Sequence, residues 1–490
     1  MSEGEPNGDY QPVIGIEVHA QLLTRSKMFC GCSADYAGAP PNTHTCPVCT
    51  GMPGVLPVIN RRAVEHAIMT GLTLHCDIRE RAVFARKNYN YPDLPKNYQI
   101  SMYELPLCTN GWLEIEVEGQ RRRIRIERVH LEEDTAKLTH VHSYSLIDFN
   151  RSGVPLMEIV SRPDIRTSEE ARQYLISLRT ILRYLGVSTA DMEKGAMRCE
   201  ANISLQPVGS TELGTKVEVK NLNSFRSVKL ALEYEMQRQR RVLHRAGRIE
   251  QVTMGWDESA GRTVVQRSKE HAHDYRYFPE PDLPPLVISR ERIRQIDTQL
   301  PELPAAKRRR FVQEHGLSEY AARVLAEDKA VADYFEATVT AGLEPQEAAN
   351  WITSELFGLM RQASLSIEEV KATPRGLVEL VSLLQKGTIS RPTAKEVLAL
   401  MVQTGQAATR IVEERGLARI GDEDQLSHIV AGVLAANPGP VQEYLGGKEA
   451  VLRFLIGQVM RATRGKADPQ LVGELLKQQL TAMKTQQRTQ

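Results

Sequence analysis

The chain has 490 residues and a mass of 55.0 kDa, which is more than one hydrophobic core normally accommodates. With 41% hydrophobic and 25% charged residues and a mean hydropathy of −0.34, its composition is that of a globular protein and excludes a disordered or fibrous chain. The formal net charge of +1 excludes nucleic-acid binding by bulk charge but permits local basic patches. We therefore expect two or three domains, with any nucleic acid bound at local sites.

The first stretch, MSEGEPNGDYQPVIG, is acidic and contains few apolar residues. Nowhere in the sequence do about 18 apolar residues follow one another. Neither a signal peptide nor a membrane span is expected, and the sequence predicts a cytoplasmic protein without a membrane partner.

Short strand patterns dominate the chain up to about Ser289. They are VIGIEVHAQL, GWLEIEVEG, RRRIRIERV, SLIDFN, PLMEIVS, ANISLQPV and TKVEVKNL. Two helical patterns lie among them, SEEARQYLISLRTILRYLG and SVKLALEYEMQRQRRVLHRAG, and each ends with a glycine just after its periodic run. This part of the chain predicts an α+β fold.

The second and third strand patterns predict an antiparallel hairpin. Leu113, Ile115 and Val117 alternate with glutamates, a Gly-Gln turn follows, and Ile124 and Ile126 continue the apolar face. The two strands should therefore bury the same face of the hairpin.

From about Glu291 onward the pattern becomes helical, as in PELPAAKRRRFVQEHG, EPQEAANWITSELFGLMRQ and SRPTAKEVLALMVQTG. The proline-rich stretch YFPEPDLPPLVIS joins the two parts and favours an extended, ordered connector. A second joint falls near TGQAATRIVEERGLARIGDED. The predicted domains are 1–291, 292–405 and 406–490, and the last two are all-α.

Seven cysteines, an odd number, in a chain without a secretory signal argue against a disulfide framework. Cys30, Cys32, Cys46 and Cys49 form a C-x-C and a C-x-x-C pair, whose four thiolates suit tetrahedral zinc and would close its coordination shell. A group of reduced core cysteines and a redox pair are the alternatives, and His44 could replace a thiolate. Because ADYAGAPPN between the pairs has no lysine or arginine to bind phosphate, a structural zinc site is favoured over a recognition finger.

The pattern VIGIEVHAQL predicts a strand with two different faces. Its isoleucines and valines share one face, and Glu17, His19 and Gln21 share the other, because side chains alternate along a strand. Such a strand would have a buried back and a polar face that is available for chemistry.

Further acidic residues lie in strand patterns. RVHLEEDTAK contains His130, Glu132, Glu133 and Asp134, and Glu158 stands within the apolar run VPLMEIVS. Carboxylates with one or two imidazoles suit Mg²⁺ and favour nucleotide chemistry, whereas a solvated acidic turn and a salt-bridged glutamate are the alternative. Alternation does not decide whether Glu132 or Glu133 points inward, because the apolar phase changes between the two halves of this strand.

The standard nucleotide-binding loops are absent from the sequence. GSTELGTK has one residue too many for a G-x-x-x-x-G-K loop, and no G-x-G-x-x-G occurs. Cations that could bind phosphates or acidic groups, or merely line a solvated surface, are Arg86, Lys87, Lys96, Lys216 and Lys220.

A resemblance to a known family rests on seven motifs in order: VIGIEVHAQL, RKNYNYPDLPKNYQIS, RVHLEEDTAK, RSGVPLMEIVSRPDI, MRCEANIS, EVKNLNSF and DYRYFPEPDLPPL. They span residues 13 to 286 and closely resemble the B subunit of the bacterial tRNA-dependent amidotransferases. The helical remainder is similar to that family in length and character.

The resemblance implies an N-terminal antiparallel-sheet cradle of the glutamine synthetase-like type, followed by a helical domain and a tail domain. It implies an enzyme that uses ATP to phosphorylate the side-chain carboxylate of misacylated Glu-tRNA(Gln) or Asp-tRNA(Asn). Ammonia from glutamine then displaces phosphate to give the amide. A fold of this type needs no Walker loop.

Site residues follow from the same resemblance. It implies that Glu17, His19, Glu133 and Glu158 are Mg²⁺ ligands and therefore catalytic residues. The resemblance thus selects Glu133 rather than Glu132. In MRCEANIS the family more often has Asp, so Glu200 is retained only as a candidate ligand of a second metal ion. The candidates for binding ATP phosphates or substrate are Arg86, Lys216 and Lys220.

The resemblance also implies partners, because this sequence has no amidase signature of its own. They are a glutaminase and a small third protein, which are the A and C subunits of a heterotrimer, together with tRNA(Gln) or tRNA(Asn) and the non-discriminating aminoacyl-tRNA synthetase. Basic runs in the helical part would hold the tRNA, although a solvated face is the default interpretation of each. The tail candidates are Lys448, Arg461, Arg464 and Lys466.

Two other hypotheses compete with this one. The chain could be a tRNA-binding scaffold without chemistry of its own, which basic helices and a structural zinc would suffice to build. It could also be a free-standing glutamine synthetase-like ligase, which leaves the helical half unexplained. The sequence does not reveal whether Glu-tRNA(Gln), Asp-tRNA(Asn) or both are substrates.

Overall fold

The computed structural model describes residues 10–268, 275–419, 423–463 and 466–489. By its internal contacts the chain forms two compact units, Met1–Pro304 and Ala305–Gln490. In the described part of the chain, no helix is both long enough and apolar enough to cross a membrane.

The first unit combines strands with a few helices. Its strands are β1 (Tyr10–Gln21), β2 (Asp77–Ile78), β3 (Arg81–Ala82), β4 (Ala85–Asn88), β5 (Tyr98–Ser101), β6 (Cys108–Val117), β7 (Gln120–Glu133), β8 (Lys137–Val141), β9 (Tyr144–Asp148), β10 (Pro155–Ser161), β11 (Met197–Pro207), β12 (Val217–Leu222), β13 (Val252–Asp257), β14 (Arg262–Ser268), β15 (Phe278–Pro279) and β16 (Leu286–Val287). Its helices are α1 (Arg61–Thr73), α2 (Ser168–Tyr184), α3 (Phe225–His244) and α4 (Arg290–Asp297).

The main sheet has nine strands in the order β14-β13-β12-β11-β1-β10-β7-β6-β2. Neighbouring strands are antiparallel except for β12 and β13, which are parallel. Strands β4, β5 and β15 form a small separate sheet, and β16 pairs with β3. Strand β15 pairs with β4, and both β15 and β16 lie in the proline-rich connector, which is extended as predicted. The predicted α+β class with a helical C-terminal part is confirmed.

The core of this unit lies between one face of the main sheet and the helices. Ile14, Ile16 and Val18 of β1 are at most 1% exposed and pack in one cluster with Leu175 of α2 and Leu232 of α3. Burying these side chains is the main favourable term for this layer arrangement. The polar residues of β1 therefore point to the opposite face of the sheet, as the alternation predicted.

The β6–β7 hairpin is present, but its turn lies one residue earlier than predicted. Val117 pairs with Gln120, so the turn residues are Glu118 and Gly119. Both have positive φ, 52° and 76°, which is the conformation of a two-residue hairpin turn that matches strand twist. A glycine meets this requirement without steric cost at the second position.

A β-bulge interrupts β7. Its pairing with β10 shifts from Arg128 opposite Val160 to Ile126 opposite Ser161, which leaves Glu127 as an extra residue. One extra residue reverses which side chains face the core. The core-facing positions of β7 are consequently even-numbered before the bulge and odd-numbered after it.

The rest of the chain is helical. Its α-helices are α5 (Pro304–Gln313), α6 (Glu319–Ala326), α7 (Lys329–Thr340), α8 (Pro345–Asn350), α9 (Phe357–Ala363), α10 (Pro374–Gln385), α11 (Arg391–Thr404), α12 (Ala408–Glu414), α13 (Glu423–Ala436), α14 (Pro438–Leu445), α15 (Val451–Ala462) and α16 (Pro469–Thr489). A π-helix spans Trp351–Leu356, and a short 3₁₀ helix spans Ile367–Glu369.

The described residues of the helical unit form two hydrophobic clusters. One runs from Phe311 to Val412, and the other runs from Leu426 to Leu480. Ile296 still packs in the core of the first unit, and Val412 in the first helical cluster, so each core extends a few residues past the domain bounds predicted at 291 and 405. Those bounds remain predictions.

Candidate active site and metal centre

A row of polar residues crosses the face of the main sheet that is opposite the helices. His19 of β1 lies opposite Glu158 of β10, which lies opposite His130 of β7. Glu132 follows His130 by two positions and therefore shares its face. The Nε2 atom of His19 is 3.5 Å from Oε1 of Glu132 and 3.4 Å from Oε2 of Glu158. One ligand atom from each of these three residues lies within 4.8 Å of the others, close enough for one metal ion.

Glu133, which the family resemblance selected, is not in this three-residue group. It is the last residue of β7, and its carboxylate lies 2.5 Å from Nζ of Lys96 and accepts a hydrogen bond of 3.0 Å from the backbone N–H of Ile100. The physical reason is the bulge at Glu127, which turns Glu132 toward the same face as His130. The sequence shows the change of apolar phase along β7 but not the bulge that causes it.

The charges in the three-residue group perturb one another. Burial alone would raise the pKa of Glu158, but His130, His19 and Arg128 hold it well below its usual range. Burial would lower the pKa of His19, but Glu158 and Glu132 raise it to about 9. Burial raises the pKa of Glu132. Two buried carboxylates thus share one imidazolium, and a further cation would stabilise them.

His130 lies on the side of Glu158 that is opposite His19. Burial is the main cause that lowers the pKa of His130, to about 4, so its ring is neutral near pH 7. Its Nε2 lies 3.4 Å from Oε2 of Glu158, whereas its Nδ1 has no hydrogen-bond partner among the described residues. This ring is therefore placed to orient Glu158.

Glu17 belongs to a neighbouring group on the same face. It lies opposite Glu200 of β11, and Nδ2 of Asn202 donates a 2.7 Å hydrogen bond to its Oε1 atom. Lys220 contacts Glu200 at 2.8 Å. Burial, followed by the charges of Glu158 and Glu200, raises the pKa of Glu17. Glu17 is thus coupled to Glu158 through space rather than by a shared contact.

The predicted phosphate-binding cations have different positions. Arg86 forms a two-pronged ion pair with Glu280, at 2.7 and 2.8 Å, and contacts Asp282 at 3.2 Å. Lys216 is exposed just before β12, and Lys220 is held by Glu200 as described.

Arg128 is one cation beside the site, with its guanidinium 3.7 Å from Oε1 of Glu158. Lys87 is a second cation that interacts electrostatically with the site, although it was not among the residues selected by resemblance. Burial would lower its pKa, but Glu132, Tyr277 and Glu158 raise it above its usual value. Its Nζ atom lies 5.0 Å from the ring centre of Tyr275. The signal available in the sequence was its position in β4, one residue from Arg86 and therefore on the opposite face of that strand.

The four predicted zinc ligands come together. Sγ atoms of Cys30, Cys32, Cys46 and Cys49 all lie within 4.8 Å of one another, and those of Cys46 and Cys49 are 3.9 Å apart. Tetrahedral zinc with bonds of about 2.3 Å places its sulfurs roughly 3.8 Å apart, so this geometry fits a zinc ion. The three other cysteines are buried away from this group, namely Cys76, Cys108 and Cys199.

A buried lysine supports the cysteine group. Lys27 is 1% exposed, and its Nζ donates to Sγ of Cys49 at 3.6 Å and to the backbone oxygen of Phe149 at 3.3 Å. The pKa of Cys49 falls to about 4, chiefly because Cys30 donates a hydrogen bond to it, and the charge of Lys27 contributes. The site is therefore built to hold at least one thiolate.

A cavity of about 200 Å³ separates the cysteine loop from the end of β7. Lys27, Cys49, Lys96 and Glu133 line it. A side-chain β-carbon at Gly51 would lie 2.4 Å from Lys96, so the close approach of the loop to this lysine requires glycine.

The predicted tRNA-binding cations of the tail that the structure describes lie before, within and after α15. Lys448 contacts Glu443 at 2.8 Å, Arg461 is exposed near the end of α15, and Lys466 is partly buried before α16. Arg464 lies outside the described residues. A tRNA contact for these residues remains a prediction.

Comparison with known proteins decides the family. A family model described as the GatB/GatE catalytic domain matches residues 12–294, and one described as the GatB domain matches residues 333–480. The chain belongs to the GatB/GatE family. The family resemblance predicted from the seven motifs is therefore confirmed.

Relatives in this family match nearly the whole chain. The B subunit of the aspartyl/glutamyl-tRNA(Asn/Gln) amidotransferase of Thermomicrobium roseum is 58% identical over 477 residues, which cover 96% of this chain and 99% of the relative. The proteins of the same name from Thermodesulfovibrio yellowstonii and Dehalococcoides mccartyi are each 54% identical, over 468 and 486 residues. They cover 95% and 96% of this chain and 98% and 99% of the relatives.

This membership confirms the predicted class of enzyme. A GatB-family chain is a subunit of a glutamine-dependent amidotransferase, which is a carbon–nitrogen ligase. The ligand sets, the nucleotide site and the tail contacts are not tested by it and remain predictions.

Proposed function

We propose that this protein uses ATP to activate the side-chain carboxylate of a glutamate or aspartate that has been attached to tRNA(Gln) or tRNA(Asn). A partner glutaminase, the A subunit of the complex, then supplies ammonia, and the complex also contains a small C subunit. The observation that carries this proposal is the group of His19, Glu132 and Glu158 on one sheet face, whose two carboxylates interact electrostatically with Lys87. The printed names of the relatives, which describe such an amidotransferase, support it.

The chemistry requires two bond exchanges. A carboxylate is a poor acyl donor, because oxide is a poor leaving group. An oxygen of the substrate carboxylate attacks the γ-phosphorus of ATP, and the bond to the leaving ADP breaks. The nitrogen of ammonia then attacks the acyl carbon, phosphate leaves with the C–O bonding pair, and the nitrogen loses a proton to give the amide.

The donor set fits a magnesium ion. Metal binding would displace the proton of His19. Its imidazole nitrogen and two carboxylates within 4.8 Å then provide a few ligands of the kind Mg²⁺ accepts while keeping positions for phosphate and water. His19, Glu132 and Glu158 would hold it, and Glu17 with Glu200 could hold a second ion. Bound there, Mg²⁺ would neutralise charge on the phosphate oxygens during transfer.

The chain's own residues would prepare this site. Lys87 places a positive charge beside the two carboxylates and attracts anionic phosphate and substrate groups toward them. His130 orients Glu158. The predicted site included Glu133 and not Glu132; the contacts favour Glu132 as the direct ligand, and Glu133 becomes a candidate for holding Lys96 beside the site.

The four-cysteine group is proposed as a structural zinc site. Four thiolates leave no open coordination position for a reactant. Lys27 offsets part of the excess negative charge that four thiolates leave around a divalent ion. The zinc would fix the loop that follows β1, and thereby the wall of the cavity beside Lys96.

The test is an amidation assay on the assembled complex with each misacylated tRNA separately. Glutamine, ATP and Mg²⁺ should yield Gln-tRNA(Gln), Asn-tRNA(Asn) or both. ATP hydrolysis should depend on the misacylated tRNA. If the complex binds tRNA but hydrolyses no ATP in its presence, this chain is a scaffold and the proposal fails.

A further inference from the structure

A connected row of tyrosines borders the carboxylate group. The rings of Tyr103 and Tyr277 are stacked, with centres 4.1 Å apart and planes 4° from parallel. Tyr277 then meets Tyr275 edge to face at 6.0 Å, and Tyr275 meets Tyr89 in the same way at 5.9 Å. Four aromatic rings thus form one continuous surface that begins at Tyr103.

This row leads to the reactive end of the site. Nζ of Lys87 lies 5.0 Å from the ring centre of Tyr275 and 5.9 Å from that of Tyr89. Burial raises the pKa of Tyr277 to about 12; Lys87 opposes the rise, and Glu158 and Glu132 add to it. Tyr277 and Lys87 therefore interact electrostatically with the same two carboxylates, Glu158 and Glu132.

The outer ring of the row is exposed, although buried residues anchor its segment on both sides. Tyr103 is 51% exposed, whereas Met102 and Leu107, which anchor the same segment, are 1% and 0% exposed. The segment is thus held in place by other side chains. Tyr103 thus stacks on Tyr277 while about half of its surface stays exposed to solvent.

We propose that the Tyr103–Tyr277 stack is a binding platform for a purine base that is joined, through its sugar and phosphate, to a group reacting at the His19–Glu132–Glu158 site. A base has a flat π face that stacks on an aromatic ring, and Lys87 offers a cation for the attached anionic group. The inference rests on the proposed function. Two sources supply this chemistry, the adenine of ATP and the terminal adenosine of the tRNA.

Tyr103→Leu tests the platform, because leucine keeps an apolar side chain but removes the π face. Tyr103→Phe keeps the ring, and Tyr144→Leu is the control, since Tyr144 is 59% exposed on β9 away from this row. In the assembled complex, Tyr103→Leu should raise KM on the order of tenfold for either ATP or the misacylated tRNA. Tyr103→Phe and Tyr144→Leu should stay within about twofold.

The substrate whose KM rises identifies the base that binds to the platform. A rise in KM for ATP alone assigns the adenine of ATP, and a rise for tRNA alone assigns the terminal base. Unchanged KM in both arms overturns the proposal. Loss of complex assembly by Tyr103→Leu on size-exclusion chromatography also overturns it, because this face would then bind a partner protein.

A direct binding measurement separates this inference from the proposed function. 2-Aminopurine can replace adenine in a nucleoside triphosphate or at the 3′ end of the tRNA, and its fluorescence is quenched by stacking. Quenching that requires Tyr103 supports the platform even if the complex hydrolyses no ATP. Equal quenching by wild type and Tyr103→Leu with both probes would refute it, whatever the activity.

Discussion

The Nε2 atom of His19 lies 3.4 Å from Oε2 of Glu158, and the two residues face each other across neighbouring antiparallel strands. Their proximity is therefore fixed by backbone pairing rather than by a flexible loop. Sites on paired strands are held with little freedom, which suits a metal centre that must position phosphate oxygens.

The two adjacent glutamates of β7 provide a matched test of the site. Glu132→Gln removes a carboxylate that lies 3.5 Å from His19, and we expect the amidation rate to fall roughly 100-fold or more and the Mg²⁺ requirement to rise. Glu133→Gln removes the ion pair with Lys96 but should leave the Mg²⁺ requirement unchanged. Rates measured against Mg²⁺ concentration distinguish them. The reverse pattern would restore the ligand set implied by the family resemblance.

Replacing Cys46 with serine tests the structural role of the cysteine group. We expect the variant to lose zinc and to melt at a lower temperature, because the loop then loses the ion that crosslinks its two cysteine pairs. Zinc content by elemental analysis and the melting temperature are measured on the same sample. Loss of zinc without loss of thermal stability would contradict the structural role.

Lys27→Met tests the buried cation beside that group. The variant should release zinc to a chromophoric chelator on the order of tenfold faster, because Cys49 loses a charged hydrogen-bond donor. Lys194→Met is the control, since the side chain of Lys194 is 85% exposed. Equal release rates for the two variants would show that Lys27 does not support the metal.

An ion-pair cluster between α2 and α3 predicts a pH dependence of stability. Hydrogen bonds from Arg172 and Lys229 lower the pKa of Glu169 to about 2, although burial opposes them. Because the folded pKa lies below the unfolded value of 4.5, the stabilisation is present above about pH 4.5 and is lost as the pH falls toward 2.

The measurement compares urea unfolding of wild type and Glu169→Gln. At pH 6 the variant should be less stable by about 1 kcal/mol or less, since the pair is partly exposed. The difference should shrink as the pH falls to 3. A difference that stays constant over this range would mean that the charge of Glu169 does not contribute.

Much of the first unit could be predicted from local patterns. The alternation in β1 correctly assigned Ile14, Ile16 and Val18 to the core and Glu17 and His19 to the other face, because a strand has a fixed period of two. The cysteine spacing likewise indicated a group that the structure brings together. The first signal is set by the backbone of a single strand, and the second lies within one loop between Cys30 and Cys49.

The choice between Glu132 and Glu133 could not be made from the same kind of signal. It depends on the bulge at Glu127, which shifts the register of β7 with β10 while its register with β6 stays constant. Arg86 and Lys87 present the same difficulty. Their adjacent positions look equivalent in sequence, but Glu280, nearly 200 residues later, engages Arg86 and leaves Lys87 to the site.

The sequence by itself therefore determined the fold class, the polar face of β1, the cysteine group and, through its ordered motifs, the family. The tertiary structure decided which carboxylates meet His19, which lysine faces them and which tyrosines stack beside them. The physical reason is that side-chain alternation and ligand spacing are local properties, whereas strand register, bulges and ion pairs depend on partners that are distant in the chain.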